Sequence, residues 1–165
     1  MNTQVIIVAD ASPLIALSTM GILQHLPSLF SKVYVPDVVL NECSEDLSKP
    51  MAMEIQIAVD SGILHVRQVT NTKGMHELSQ VLDDGEAAAI MLAKELSAYI
   101  LIDEKAGRLI AKREGLKLKG SMYCLVECKK KGLIDSGLNR IQLLKEKGYY
   151  LDDSLVSAVR TMCGE

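Results

Sequence analysis

The sequence predicts an α/β protein with a central, mainly parallel sheet flanked by helices, and three observations carry that expectation. Short apolar runs alternate with longer segments of helical periodicity. Two of those runs, VIIVAD and YILID, end in an aspartate, where a parallel strand hands over to its helix at a ligand-binding edge. The 165 residues, 48% apolar and 24% charged with a net charge of −3, fit one domain (1–165) with a substantial core. That composition excludes a disordered, collagen-like or disulfide-stapled chain.

The elements follow in order. Gln4 to Asp10 reads as a buried strand, and Ser12-Pro13 as an N-cap followed by proline at the first helical position. Lys32 to Val35 is a second strand, after which Pro36 opens a helix through Val38, Val39, Leu40 and Glu42. A helix is expected from Pro50 to Ser61, stopped by Gly62, before a strand-like stretch from Ile63 to Val69. The polar stretch Thr70 to Ser79 reads as a mobile loop. The clearest helix runs from Asp83 to Ala98, rich in alanine and apolar at Ala89, Ile90, Ala93 and Leu96. Tyr99 to Ile102 is a strand ending at Asp103, Lys105 to Glu114 a helix, and Leu116 to Leu118 a short strand. Gly120-Ser121 starts the next helix, and two C-terminal helices occupy about 136–165.

Val5 to Ala9 is too short an apolar run for a membrane span, and without a basic flank it is no signal segment, so a cytoplasmic protein without membrane contact is expected. Cys43, Cys124, Cys128 and Cys163 include no CxxC pair and lie far in sequence from His25, His65 and His76, which leaves no zinc motif. Cys124 and Cys128, one helical turn apart, read as buried packing. One Phe, five Tyr and no Trp argue against extended aromatic platforms for single-stranded bases.

Asp10 and Asp103 close two strands, and if those strands are neighbours their carboxylates share one edge. Carboxylates at that spacing repel, and a hard divalent cation that takes oxygen ligands relieves the repulsion. Each Asp alone is equally readable as the cap of the helix behind it. Glu42 falls on an otherwise apolar stripe and needs a partner or solvent. Glu86 lies in Asp83-Asp84-Gly85-Glu86, which matches a capping box as well as it matches a site residue.

At these positions the chain resembles the PIN-domain nucleases, in their VapC-like, toxin-related branch. The matching stretches are DASPLI (Asp10 to Ile15), VPDVVLNE (Val35 to Glu42), DGEAAAI (Asp84 to Ile90) and LIDEKAGR (Leu101 to Arg108), in order across roughly residues 5 to 135. The resemblance implies a PIN-like three-layer α/β/α fold. It implies an acidic quartet of Asp10, Glu42, Glu86 and Asp103 around Mg²⁺ or Mn²⁺, with Asp84 as a neighbour. Ser12 matches a small hydroxyl residue of this branch, and it is readable equally as an N-cap. Gly120-Ser121 matches a turn whose amides would hold a phosphate or fix Asp103. Gly107, where relatives carry a larger residue, and Tyr123, where a small one is expected, depart from the pattern.

The chemistry implied is metal-assisted hydrolysis of RNA phosphodiester bonds, with metal-bound water as nucleophile and no covalent intermediate. Charge adds an independent clue. Lys105 to Lys131 holds nine Lys/Arg against two acids, a surplus of +7, whereas the rest of the chain carries −10. A basic stretch beside an acidic site suits a polyanion. Helical spacing puts Arg108 and Lys112 on one face, where they would meet RNA phosphates. A toxin relative implies a small antitoxin protein as partner, and the Leu151, Leu155, Val159, Met162 stripe suits either a homodimer or packing on its own domain. The competing reading is a non-catalytic PIN-fold protein acting through protein or RNA binding. Ser12 stands where a haloacid-dehalogenase-type phosphatase needs a second Asp, and the only Asp pair before Asp103 falls too late for a receiver domain.

Overall fold

The protein is described by a computed structural model covering residues 4–165. Five parallel strands form the central sheet: β1 (Ile6–Ala9), β2 (Lys32–Pro36), β3 (His65–Arg67), β4 (Tyr99–Leu101) and β5 (Leu118–Lys119). Their order is β3-β2-β1-β4-β5. The chain builds outward from β1 to one side and then returns to build on the other, so the order reverses between β1 and β4. That is the switch point at which open α/β sheets form their clefts.

Alternation along the strands divides the protein into layers. Ile7, Ala9, Val33, Val35 and Leu101 face one core. Helices α1 (Ala11–Thr19), α2 (Leu26–Leu29), α3 (Asp37–Cys43), α4 (Pro50–Asp60), α8 (Ser121–Lys130), α9 (Gly137–Glu146) and α10 (Asp153–Cys163) contribute buried side chains to it. Val8, Tyr34, Ile100 and Ile102 face the second core, covered by α6 (Asp84–Leu96) and Ala111 of α7 (Lys105–Arg113). Helix α6 is buried from Gly85 through Ala93, and its run of alanines lets it lie close on the sheet. The expected three-layer α/β/α arrangement is therefore the one found.

Two local expectations change. Residues Thr72–Leu78, expected as loop, form a helix, α5. Its polar sequence is held by its own N-cap and from outside. The Asn71 side chain accepts the Gly74 N–H at 2.9 Å, and the Glu95 carboxylate of α6 accepts the N–H groups of Thr70 and Asn71 at 2.9 and 2.7 Å. Ser12 is not the cap of α1. Asp10 occupies that position and Ala11 is the first helical residue, because β1 turns into α1 with no intervening loop. The strand-like stretch at Ile63–Val69 shortens to β3, and that at Leu116–Leu118 shortens and moves one residue on, to β5. All four cysteines are buried, and burial pushes the Cys43 and Cys128 thiols up to about 12 and 11, in keeping with packing.

At the C-terminus the Glu165 carboxylate accepts the Gly137 N–H at 2.7 Å and so ties the end of α10 to the start of α9. Val159 is fully buried, and Leu151 and Leu155 pack on the same core, which uses most of the apolar stripe within the chain. Among the described residues, no helix is long and apolar enough to cross a membrane.

Candidate active site

Register decides how the strand-end acids are presented. Ala9 pairs with Leu101, and the Asp10 N–H continues the ladder to the Leu101 carbonyl at 3.0 Å. Asp10 therefore stands opposite Ile102 and follows Val8 onto the α6 face, whereas Asp103 comes one residue later and follows Leu101 onto the face of α1 and α8. The two strands are neighbours as expected, but their acids lean to opposite sides of the sheet edge.

On the α6 face three sequence-predicted acids converge. Asp10 is 2% exposed and its carboxyl makes no cap hydrogen bond to α1. Burial pushes it up to about 7, the nearby Ala11 N–H opposes that, and the charges of Asp83, Glu86 and Glu42 add to it. Glu86 is buried in the first turn of α6. Its carboxyl is raised by burial and by Asp83 and Glu104, and lowered by the Asp83 N–H. The Asp83 carboxylate in turn accepts the Glu86 N–H at 2.8 Å, so the capping box is formed. Glu86 caps its helix and faces the acidic cluster at once.

For Glu42, which needed either a partner or solvent, the structure supplies solvent on one side and α6 on the other. Val39 and Cys43 face the core from α3, while Glu42 is exposed and its carboxylate lies over the start of α6. A Cβ on Gly85 would stand 2.3 Å from Glu42 Oε1, so glycine is what lets the carboxylate reach the Gly85 N–H. Burial and the charges of Asp83, Glu45 and Asp84 raise the Glu42 carboxyl. Asp84 itself is exposed beside this cluster. Asp83, which the sequence offered only as a cap, contributes its charge to Asp10, Glu42 and Glu86 alike.

Asp103 belongs to the other side of the edge. Its Oδ1 accepts the Ser121 N–H at 2.8 Å, so the turn before α8 fixes this carboxylate. A Cβ on Gly120 would lie 3.0 Å from the same oxygen, which explains the glycine there. Ser121 is buried, and Ser12, on the first turn of α1, sends its hydroxyl toward Glu104 Oε1 at 3.5 Å. Arg108 donates to the Ile102 carbonyl at 2.6 Å and so buttresses the loop that carries Asp103. Lys112, one turn on, is exposed. Elsewhere in the basic stretch, Lys117 and Lys119 lie over the rings of Tyr99 and Tyr123, and Lys129 donates to the Asp135 carbonyl. The unexpected Tyr123 is partly exposed and serves Lys119 and Phe30 rather than the acidic edge. At Gly107 a Cβ would meet Ile102 Cδ1 at 2.6 Å, so the larger residue of relatives would need Ile102 to move.

The donors are all carboxylates, a set that suits a hard, oxygen-seeking cation. The charge strain at Asp10 is of the kind a cation relieves. Among the described residues, no three His, Cys, Asp or Glu side chains are drawn together tightly enough to grip an ion as placed.

A family model described as PIN domain matches residues 6–165. No curated protein matches the chain.

Proposed function

Because the chain belongs to the PIN-domain family, whose members are in general nucleases, we propose that it is a Mg²⁺- or Mn²⁺-dependent endoribonuclease of the VapC-like branch. The observation that carries this reading is Asp10, a nearly inaccessible carboxyl at the sheet's switch point, raised first by burial and then by the charges of three other acids. A structural cap has no use for that arrangement, since capping draws on one carboxylate and a nearby N–H.

In this reading Asp10, Glu42, Glu86 and Asp103 are the metal-binding and catalytic acids, with Asp84 at the rim. A bound divalent cation would make its water a better nucleophile and stabilise charge on the phosphoryl oxygens. The chain's own residues do the rest. Gly85 and Asp83 hold Glu42 and Glu86 at the opening of α6, and Ser121 holds Asp103 through its amide. Ser12 directs its hydroxyl at Glu104 and lines the same cleft as Asp103. Lys112, with Arg108 behind it, would meet backbone phosphates arriving along α7. One domain spans 1–165, acts in the cytoplasm as the toxin of a toxin–antitoxin pair, and is restrained by a small antitoxin protein, with homodimerisation as a further association.

The deciding experiment incubates the full chain with end-labelled single-stranded RNA in Mg²⁺, in Mn²⁺ and in EDTA. Cleavage is expected with either cation and none with EDTA or in Asp10→Asn. Full activity of Asp10→Asn would end the assignment. A non-catalytic PIN-fold protein is the second reading, favoured by Asp103, which is tethered to Ser121 across the sheet edge from Asp10. Calorimetric titration with Mn²⁺ separates the two, because a scaffold has no saturable site that Asp10→Asn abolishes.

A further inference from the structure

A cleft of about 430 Å³ opens on the Asp103 side of the sheet edge, within the roughly 300–1,000 Å³ of small-ligand sites. Ser12, Asp103 and Ser121 form its inner wall, which it shares with the acidic edge. Its far wall comes from the segment between α9 and α10. There Gly148, at φ +88°, turns the chain, and Tyr149 and Tyr150 after it both line the cleft. The two differ in restraint. Tyr149 is 36% exposed and feels the charge of Asp103, whereas Tyr150 is 89% exposed. Met122, Leu151 and Leu155 complete an apolar floor.

We propose that this cleft is a nucleobase subsite, in which Tyr150 stacks on the base next to the scissile phosphate and Tyr149 lines its edge. The inference rests on the nuclease reading and adds where the substrate's base goes. Asp103 and Glu104 on the inner wall repel a phosphate from the cleft, while a neutral, flat base is compatible with its apolar floor. Lys105 lies at the rim, at the head of the basic stretch, where the adjoining phosphate would pass. Aromatic residues are scarce in this chain, yet two of its five tyrosines, adjacent in sequence, line a cleft that also holds Asp103. Ring placement, not ring number, is what stacking requires.

The test uses the full chain in EDTA and reads fluorescence anisotropy of short labelled RNAs: an intact oligonucleotide, the same backbone with abasic positions, and the 2′-deoxy version. Tyr150→Ala is expected to weaken the intact RNA about tenfold, in line with the loss of one base stack. Tyr150→Phe is expected to restore that affinity, and the abasic strand should bind all three proteins alike. An equal loss on the deoxy strand assigns the subsite to bases of either nucleic acid; a loss on RNA alone adds a ribose contact. An unchanged affinity for intact RNA in Tyr150→Ala overturns the proposal and leaves the cleft to a protein side chain, while cleavage by the same variant in a parallel Mg²⁺ assay keeps the nuclease reading standing. If wild type binds neither strand in EDTA, the subsite falls, and cleavage of RNA by wild type in Mg²⁺ decides the nuclease reading separately. Tyr150 is too exposed for its truncation to unfold the protein, and a matched thermal melt checks this.

Discussion

Replacing Asp10 with Asn removes a carboxyl that the fold holds against its own charge. Burial, followed by Asp83, Glu86 and Glu42, pushes this group from 3.8 up to about 7 despite the Ala11 N–H. Between those two values the folded chain keeps a proton that the unfolded chain has lost. Stability therefore falls as pH rises through that window and levels off above it. At about 1.4 kcal/mol for each pH unit of displacement, the penalty at neutral to alkaline pH has a ceiling of roughly 4 kcal/mol. Local relaxation around the charged carboxylate, which raises the effective dielectric even at a buried site, brings it nearer to about 2 kcal/mol. Urea unfolding of wild type and Asp10→Asn in EDTA, from about pH 4 to about pH 8, measures the difference directly, because groups that titrate alike in both proteins cancel. The variant is expected to match wild type at the acid end and to exceed it by about 2–4 kcal/mol at the alkaline end. Excess Mn²⁺ should raise the stability of wild type alone. A pH-independent difference, or a variant less stable than wild type at about pH 8, would refute the reasoning, the second result because it would make Asp10 a stabilising cap.

Glu86→Gln keeps a side chain able to complete the capping box, so its stability should stay within about 0.5 kcal/mol of wild type while cleavage in excess Mn²⁺ is lost. Unchanged cleavage would leave Glu86 a cap and the site with three essential acids. Gly85→Ala places a Cβ where the Glu42 carboxylate now lies, 2.3 Å from Oε1, and that flexible end can swing away. The apo fold should hold or gain up to about 1 kcal/mol from helix propensity while Mn²⁺ affinity drops, as unfolding and calorimetry would report; undiminished affinity would remove Glu42 from the site. Lys112→Ala should lower the log–log salt slope of RNA binding by about 0.7, the loss of one phosphate contact on a single strand. Arg108→Ala should also impair cleavage at saturating RNA, because its guanidinium supports the Ile102 carbonyl in the Asp103 loop.

The parts of the protein that were legible in the sequence are those whose cause is local. VIIVAD and YILID announce buried strands because both faces of a parallel sheet are covered, and Asp83 to Glu86 announces a helix start because the capping box is complete within four residues. Helix α5 was hidden because only its Asn71 cap is local and the rest of its support is tertiary: Glu95 of α6 clamps the amides before it, and Gly74 packs where a side chain would meet Met91. The side taken by Asp103 was hidden for a deeper reason. Each strand shows which residues alternate, but only the pairing of Ala9 with Leu101 shows how one alternation is phased against the next. A slip of one residue there would have turned Asp103 toward Asp10. Asp83 and Glu86 show the opposite case, in which competing readings of a motif prove compatible. A carboxylate has several acceptor positions and one N–H uses only part of them, so Asp83 caps Glu86 while its charge reaches Asp10 and Glu42. The capping box sets the first turn of α6 against the strand end, and the acids gather there because the cap fixes them. Stability alone therefore cannot separate cap from catalyst at Glu86, and the Gln variant has to be read in both unfolding and cleavage.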